Sequence, residues 1–128
     1  MLNKADIIAI VNDLRLPNGG YWVCTGAGLV LHGIKEFTRD IDMGCTTQVM
    51  DRLLREGHPL SFTSDGNRAT SYGAMEFYEN WFADEVVTVE GVSVATLLSI
   101  RKHKTILGRE KDLRDIELID AYLSTHPQ

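Results

Sequence analysis

The stretch Thr38-Arg39-Asp40-Ile41-Asp42-Met43-Gly44-Cys45-Thr46 limits the fold more than any other. Ile41, Met43 and Cys45 recur at every second position, the period of an extended strand with one apolar face. Asp40 and Asp42 then share the opposite face, roughly 6.5 to 7 Å apart along the backbone. A chain that buries Ile41 and Met43 must cover one side of this strand and leave two like charges together on the other. Two carboxylates held together raise one another's pKa or recruit a cation. Oxygen ligands of this kind suit a hard cation such as Mg²⁺. Taken alone, the same pair also fits the solvated face of an edge strand.

The elements around this strand follow from periodicity and punctuation. Residues 3–14 carry Ile7, Val11 and Leu14 on one helical face. Residues 16–20 read as a loop, 21–25 as a short apolar strand and 26–33 as a short helix. A helix follows with Thr46 or Thr47 as N-cap and Gly57 just past its end. Residues 59–64 and 68–73 read as short strands around the turn Ser64-Asp65-Gly66-Asn67, and residues 74–81 as another strand. Residues 85–95 form a hairpin closed near Glu90-Gly91. A helix over 96–107 stops at Gly108. The last helix, from about Glu110 to Ser124, places Leu113, Ile116, Ile119 and Leu123 at helical spacing. The sum is an α+β fold: a mixed sheet with helices packed mainly on one face. At 128 residues, a single domain over 1–128 is expected.

Three features weigh against an incidental aspartate pair. Gly26 and Gly28 sit where a strand gives way to a helix, which lets backbone amides approach a ligand such as phosphate. Glu76, flanked by Met75 and Phe77, projects to the polar face of its strand and can complete a three-carboxylate cluster. Glu79 has the opposite parity. Lys104, Arg109 and Lys111 lie near the junction of the last two helices, and their charge suits a triphosphate. The bland counterpart of that basic group is a salt-bridged helix surface, with Lys111 and Asp115 as an i,i+4 pair.

The net charge of −5 argues against a broad nucleic-acid surface and leaves room for a small basic pocket. Cys24 and Cys45 fit no CxxC or zinc spacing and read as reduced core residues. His32 and His58 lack a second ligand at metal spacing; His32 is expected to hydrogen-bond near a strand entry. Trp22, Tyr72, Phe77 and Trp81 suit a base-stacking role, but their strand placement favours sheet packing. No apolar run approaches the roughly 20 residues of a membrane span, and Asp6 and Asn12 break the N-terminal apolar pattern. A cytoplasmic location is expected.

The run Gly26-x-Gly28-x-x-x-His32-Gly33, followed by Thr38-Arg39-Asp40-Ile41-Asp42, resembles the signature of the nucleotidyltransferase superfamily, whose fold is shared with DNA polymerase beta. It is nearest to the small bacterial members and the abortive-infection toxin-like branch. The segment Lys104 to Ile119 is similar to their closing helices. The resemblance is strong over 21–45 and moderate over 86–120. It implies transfer of a nucleoside monophosphate from an NTP, such as ATP, to a hydroxyl. In that scheme Asp40, Asp42 and Glu76 are catalytic and hold two Mg²⁺. Thr25, Gly26, Gly28, Arg39, Lys104 and Arg109 are expected to bind the nucleotide. The acceptor, a small molecule, a protein or an RNA end, is expected across a dimer interface or on a partner protein.

Departures from that pattern point to an alternative. Thr25 stands where a glycine is usual, and Glu36 where a basic residue is usual. Both fit a catalytically weakened nucleotide-binding or toxin–antitoxin-type module on the same fold.

Overall fold

The computed structural model describes residues 1–81 and 84–126. Its elements run α1 (Lys4–Asp13), β1 (Tyr21–Val23), α2 (Thr25–Leu31), β2 (Ile41–Cys45), α3 (Thr47–Arg55), β3 (Ser61–Phe62), β4 (Arg68–Tyr72), β5 (Met75–Glu79), β6 (Val86–Val89), β7 (Val92–Ala95), α4 (Leu97–Leu107) and α5 (Glu110–Thr125). The helix ends follow local chemistry. Asn3 and Asp6 cap α1 reciprocally, a capping box that satisfies two orphan N–H groups. Thr46 and Thr96 side chains accept from the third amide of α3 and α4. Gly108 closes α4 at φ 61°, the left-handed conformation that glycine adopts without a Cβ penalty.

The strands form one mixed sheet in the order β3-β4-β5-β2-β1-β7-β6. β2 lies in its middle, parallel to β5 and antiparallel to β1, and β1 is parallel to β7. An interior place for β2 excludes the edge-strand alternative. The buried face of the sheet meets α1, α2 and α3 in a core that includes Ile7, Val23, Ile41, Met43, Leu53 and Phe77. A second apolar cluster, Leu29, Ala95, Leu97, Ile100 and Ile119, joins α2 to α4 and α5. On the opposite face Trp22 lies across Gly44, where an added Cβ would stand 2.0 Å from its Nε1. That nitrogen donates to the Trp81 carbonyl at 2.7 Å, fixing the chain after β5 to β1.

Three expectations need correction. β1 ends at Val23, and Thr25 already belongs to α2. β2 begins at Ile41, so Asp40 stands at the strand's entry rather than inside it. The buried stripe of α5 is Asp112, Asp115 and Ile119, while Leu113 is 54% exposed. The helix is rotated so that two carboxylates meet α4. Cys24 and Cys45 are buried thiols, and burial pushes both up to about 12, which keeps them un-ionised at neutral pH. Among the described residues no helix is long and apolar enough to cross a membrane.

Candidate active site

The parallel pairing of β2 with β5 sets Asp42 directly beside Glu76. Neighbouring strands stand about 4.8 Å apart, and Ile41, Met43, Met75 and Phe77, all buried, occupy the other face. The two carboxylates therefore share the open face of the sheet. Asp40 joins them from the entry to β2. All three line a cleft of about 510 Å³, together with Thr25 and Gly26.

Burial raises the Asp42 pKa above its ordinary value. A hydrogen bond from Thr25 works against that rise, and the charges of Glu76 and Asp40 reinforce it. The cluster is electrostatically frustrated as it stands, and a bound cation would relieve it. Its donors are all oxygens, the set that a hard divalent cation takes. Among the described residues no three such side chains stand in ligating geometry. Glu76 instead accepts a hydrogen bond from the Tyr78 hydroxyl at 2.5 Å. Asp40, Asp42 and Glu76 offer the oxygen donors such an ion takes, while the Thr25 and Tyr78 hydroxyls already donate to Asp42 and Glu76.

Thr25 adopts φ 48°, a left-handed conformation that is costly for a β-branched residue. Its Oγ1 donates to Asp42 Oδ2 at 3.0 Å, and the Cys24 amide donates to the Asp42 carbonyl at 2.8 Å. These bonds tie the β1–α2 turn to β2. At Gly26 an added Cβ would come within 3.1 Å of Thr38 Oγ1, so a larger residue would press on Thr38 in the cleft lining.

The cleft lining also carries paired cations. Lys104 is 4% exposed, with its Nζ 2.8 Å from Asp115 and 3.4 Å from Asp112. Arg109 clasps Asp112 with two side-chain nitrogens, at 2.6 and 3.2 Å. Lys35 reaches the other oxygen of Asp115 at 2.7 Å. Burial pushes the Asp112 carboxyl up, but hydrogen bonds from Arg109 and the charge of Lys104 outweigh it and leave the pKa below its ordinary value. Asp115 is also lowered on balance: burial raises it, and bonds from Lys104 and Lys35 prevail. Three cations are thus held against two carboxylates. Lys35, Lys104, Arg109 and Lys111 all line the cleft.

The fold brings together every sequence-expected site residue except Gly28. Arg39 lines the cleft too. Gly28 is buried in α2, where a Cβ would stand 2.7 Å from Ile100 Cδ1; its smallness serves the packing of α2 on α4. Asp115 pairs with Lys104 and Lys35, not with Lys111 as the helical spacing suggested. Glu36, the residue out of keeping with a phosphate site, is exposed and absent from the cleft lining, whereas its neighbour Lys35 belongs to it. His32 reaches the Ala95 carbonyl at 2.9 Å, away from the cleft. Of the four aromatics considered for stacking, Trp81 is on the cleft, packed against Tyr78 and His103 at 4.4 and 4.5 Å. Sequence reading missed Tyr78, Asp112 and Asp115. The signal for the last two was their i, i+3, i+7 spacing with Ile119.

His103, beside Lys104 in α4, gives the fold a pH dependence. It is 3% exposed. Burial, then the neighbouring Lys104 charge, lowers its pKa to about 4. The unfolded chain binds more protons than the folded one between about pH 6.5 and 4, so stability falls as pH drops through that window. The expected loss is about 3 kcal/mol. Urea melts at pH 7, 5.5 and 4 measure it, and His103→Gln should flatten the slope. An equally steep slope in the variant would assign the effect elsewhere.

No family model matches the chain, and no curated protein matches it. Among solved structures it is similar to the crystal structure of ANT(2")-Ia in complex with adenylyl-2"-tobramycin. The TM-score is 0.58 and the identity 16%, over 91% of this chain and 85% of that one. At that identity the likeness concerns architecture: the chain has a nucleotidyltransferase-like α+β fold, with Asp42 and Glu76 on the open face of its mixed sheet and Asp40 at the entry to β2.

Proposed function

We propose that this protein is a metal-dependent nucleotidyltransferase, moving a nucleoside monophosphate from an NTP to a hydroxyl acceptor. The observation that carries the reading is the Asp42–Glu76 register, which sets two carboxylates side by side in a cleft that Lys35, Lys104, Arg109 and Lys111 also line. Fold likeness to ANT(2")-Ia supports it, as does that structure's adenylyl-2"-tobramycin ligand. The Asp40-Ile41-Asp42 run and the His32-Gly33 pair support a likeness to the small bacterial, toxin-like branch.

In this reading Asp40, Asp42 and Glu76 would hold Mg²⁺, and the bound ion would supply charge stabilisation for phosphoryl transfer. Lys104, Arg109 and Lys111 neutralise the triphosphate, and the amide of Gly26 approaches its terminal phosphates. Asp112 and Asp115 hold Lys104 and Arg109 at fixed positions, so little reorganisation is needed as charge moves to pyrophosphate. Glu76 takes the proton of the acceptor hydroxyl. The acceptor oxygen bonds to the α-phosphorus, and the bond to the departing pyrophosphate breaks.

One observation favours binding without turnover. Thr25 fills a left-handed position and already donates to Asp42, competing with a cation for that oxygen. Two measurements separate the readings. ATP with Mg²⁺ should stabilise the fold by about 2.7 kcal/mol at a hundredfold excess over Kd, and the complex should release pyrophosphate when an acceptor is supplied. A shift without release under any acceptor leaves the binding module. Absence of both ends the nucleotide reading.

A further inference from the structure

Tyr78 places a hydroxyl group against the carboxylate that would receive an acceptor's proton. Its Oη donates to Glu76 Oε2 at 2.5 Å, within the reach that proton transfer to a positioned base requires. The arrangement begins in the sequence. Glu76 and Tyr78 are separated by one residue in β5, so both side chains stand on the open face of the sheet. The residues paired with Tyr78 on the adjacent strands are Gly44 and Ala69, which add no side chain and one methyl group. Neither pushes the tyrosine ring away from Glu76. Trp81 packs against that ring with centroids 4.4 Å apart, which limits its rotation.

Among the described residues that line the first cleft, Thr25, Thr38 and Tyr78 carry hydroxyls. Thr25 donates to Asp42 Oδ2, and Thr38 donates to the Asp40 carbonyl. Tyr78 is the one of the three bonded to Glu76.

We propose that Tyr78 is itself a nucleotide acceptor: the chain transfers a nucleoside monophosphate from an NTP onto its own Tyr78 hydroxyl. The proposal rests on the nucleotidyl-transfer reading and supplies it with an acceptor built into the fold. The phenol oxygen bonds to the α-phosphorus, its proton passes to Glu76, and the bond to the departing pyrophosphate breaks. The products are a tyrosyl phosphodiester and pyrophosphate. Nucleophile and base already lie in contact on one strand, so the step needs no encounter beyond that with the NTP. A modified Tyr78 has no hydroxyl left to react, and each chain turns over once.

The test incubates the purified full chain with Mg²⁺ and each common NTP in turn, with no other acceptor. Intact mass is measured, the labelled peptide is sequenced by fragmentation, and pyrophosphate is counted. One NTP is expected to add a single nucleoside monophosphate on Tyr78 and to release about one pyrophosphate per chain. The rate per chain should not change on dilution at saturating NTP, because the acceptor belongs to the same molecule. Tyr78→Phe should lose the label while its NTP·Mg²⁺ thermal shift persists, and Asp42→Asn should lose it with Tyr78 still present. A label on another residue, a rate that falls with dilution, or a label that survives in Tyr78→Phe would overturn the proposal. An NTP·Mg²⁺ shift with no mass gain would overturn it and leave the transfer reading to an external acceptor. Absence of both shift and label would end the two together.

Discussion

Asp42→Asn should lower nucleotidyl transfer by about a thousandfold or more while leaving the protein folded. The first half follows from the place of Asp42 in the carboxylate cluster: losing one preorganised group at a centre of developing charge costs on that order. The second half follows from its electrostatics. Burial and the charges of Glu76 and Asp40 hold the Asp42 pKa above its ordinary value. In a raised carboxylate the folded state disfavours the ionised form, so a neutral isostere removes a penalty at pH 7 rather than a support. The asparagine oxygen can still accept from Thr25 Oγ1. In metal-free buffer the double variant Asp40→Asn, Asp42→Asn should therefore melt at or above the wild-type temperature, and its ATP·Mg²⁺ shift should vanish. Marked destabilisation without metal would make these aspartates structural, and an undiminished nucleotide shift would remove them from the metal site.

Asp112→Ala should produce the largest loss of stability expected here, about 3–5 kcal/mol. Asp112 is fully buried and accepts from Lys104, from the Arg109 side chain and from the Arg109 amide. Its removal strips the Arg109 side chain and amide of their carboxylate and leaves a 4%-exposed lysine with Asp115 as its remaining buried partner, and an under-compensated buried charge is costly. For a chain of this size the melting temperature should fall by about 10–20 °C, read by calorimetry at pH 7. Replacing Lys104, Asp112 and Asp115 together by Met, Leu and Leu should cost far less, because the desolvation penalty disappears with the charges. Nucleotide affinity should nevertheless drop in that triple variant. A small shift in Asp112→Ala would mean that water already screens the network.

Much of this organisation was legible because it is local. The period-two alternation around Ile41 and Met43 gave the facing of Asp42, and the same parity argument placed Glu76 between Met75 and Phe77. Thr46 and Gly108 marked helix ends, and Glu90-Gly91 marked a hairpin whose two residues indeed take φ 47° and 84°. The errors share a cause. A helical wheel scores apolar residues as inward, so it turned α5 toward Leu113 and away from Asp112. Gly28 was read by its proximity to Gly26, while the side chain that dictates its size, Ile100, lies in a distant helix.

Residue order alone set which faces are polar, where most elements start and stop, and which side chains carry charge. Those properties depend on residues within one or two turns of each other. Long-range packing set β5 parallel beside β2 with Asp42 next to Glu76, and sank Lys104 between two aspartates of the next helix. Pairing and charge burial are settled by the free energy of the whole packed arrangement. A carboxylate is buried only when its cation arrives from elsewhere in the chain, and no short stretch of sequence contains both halves of that balance.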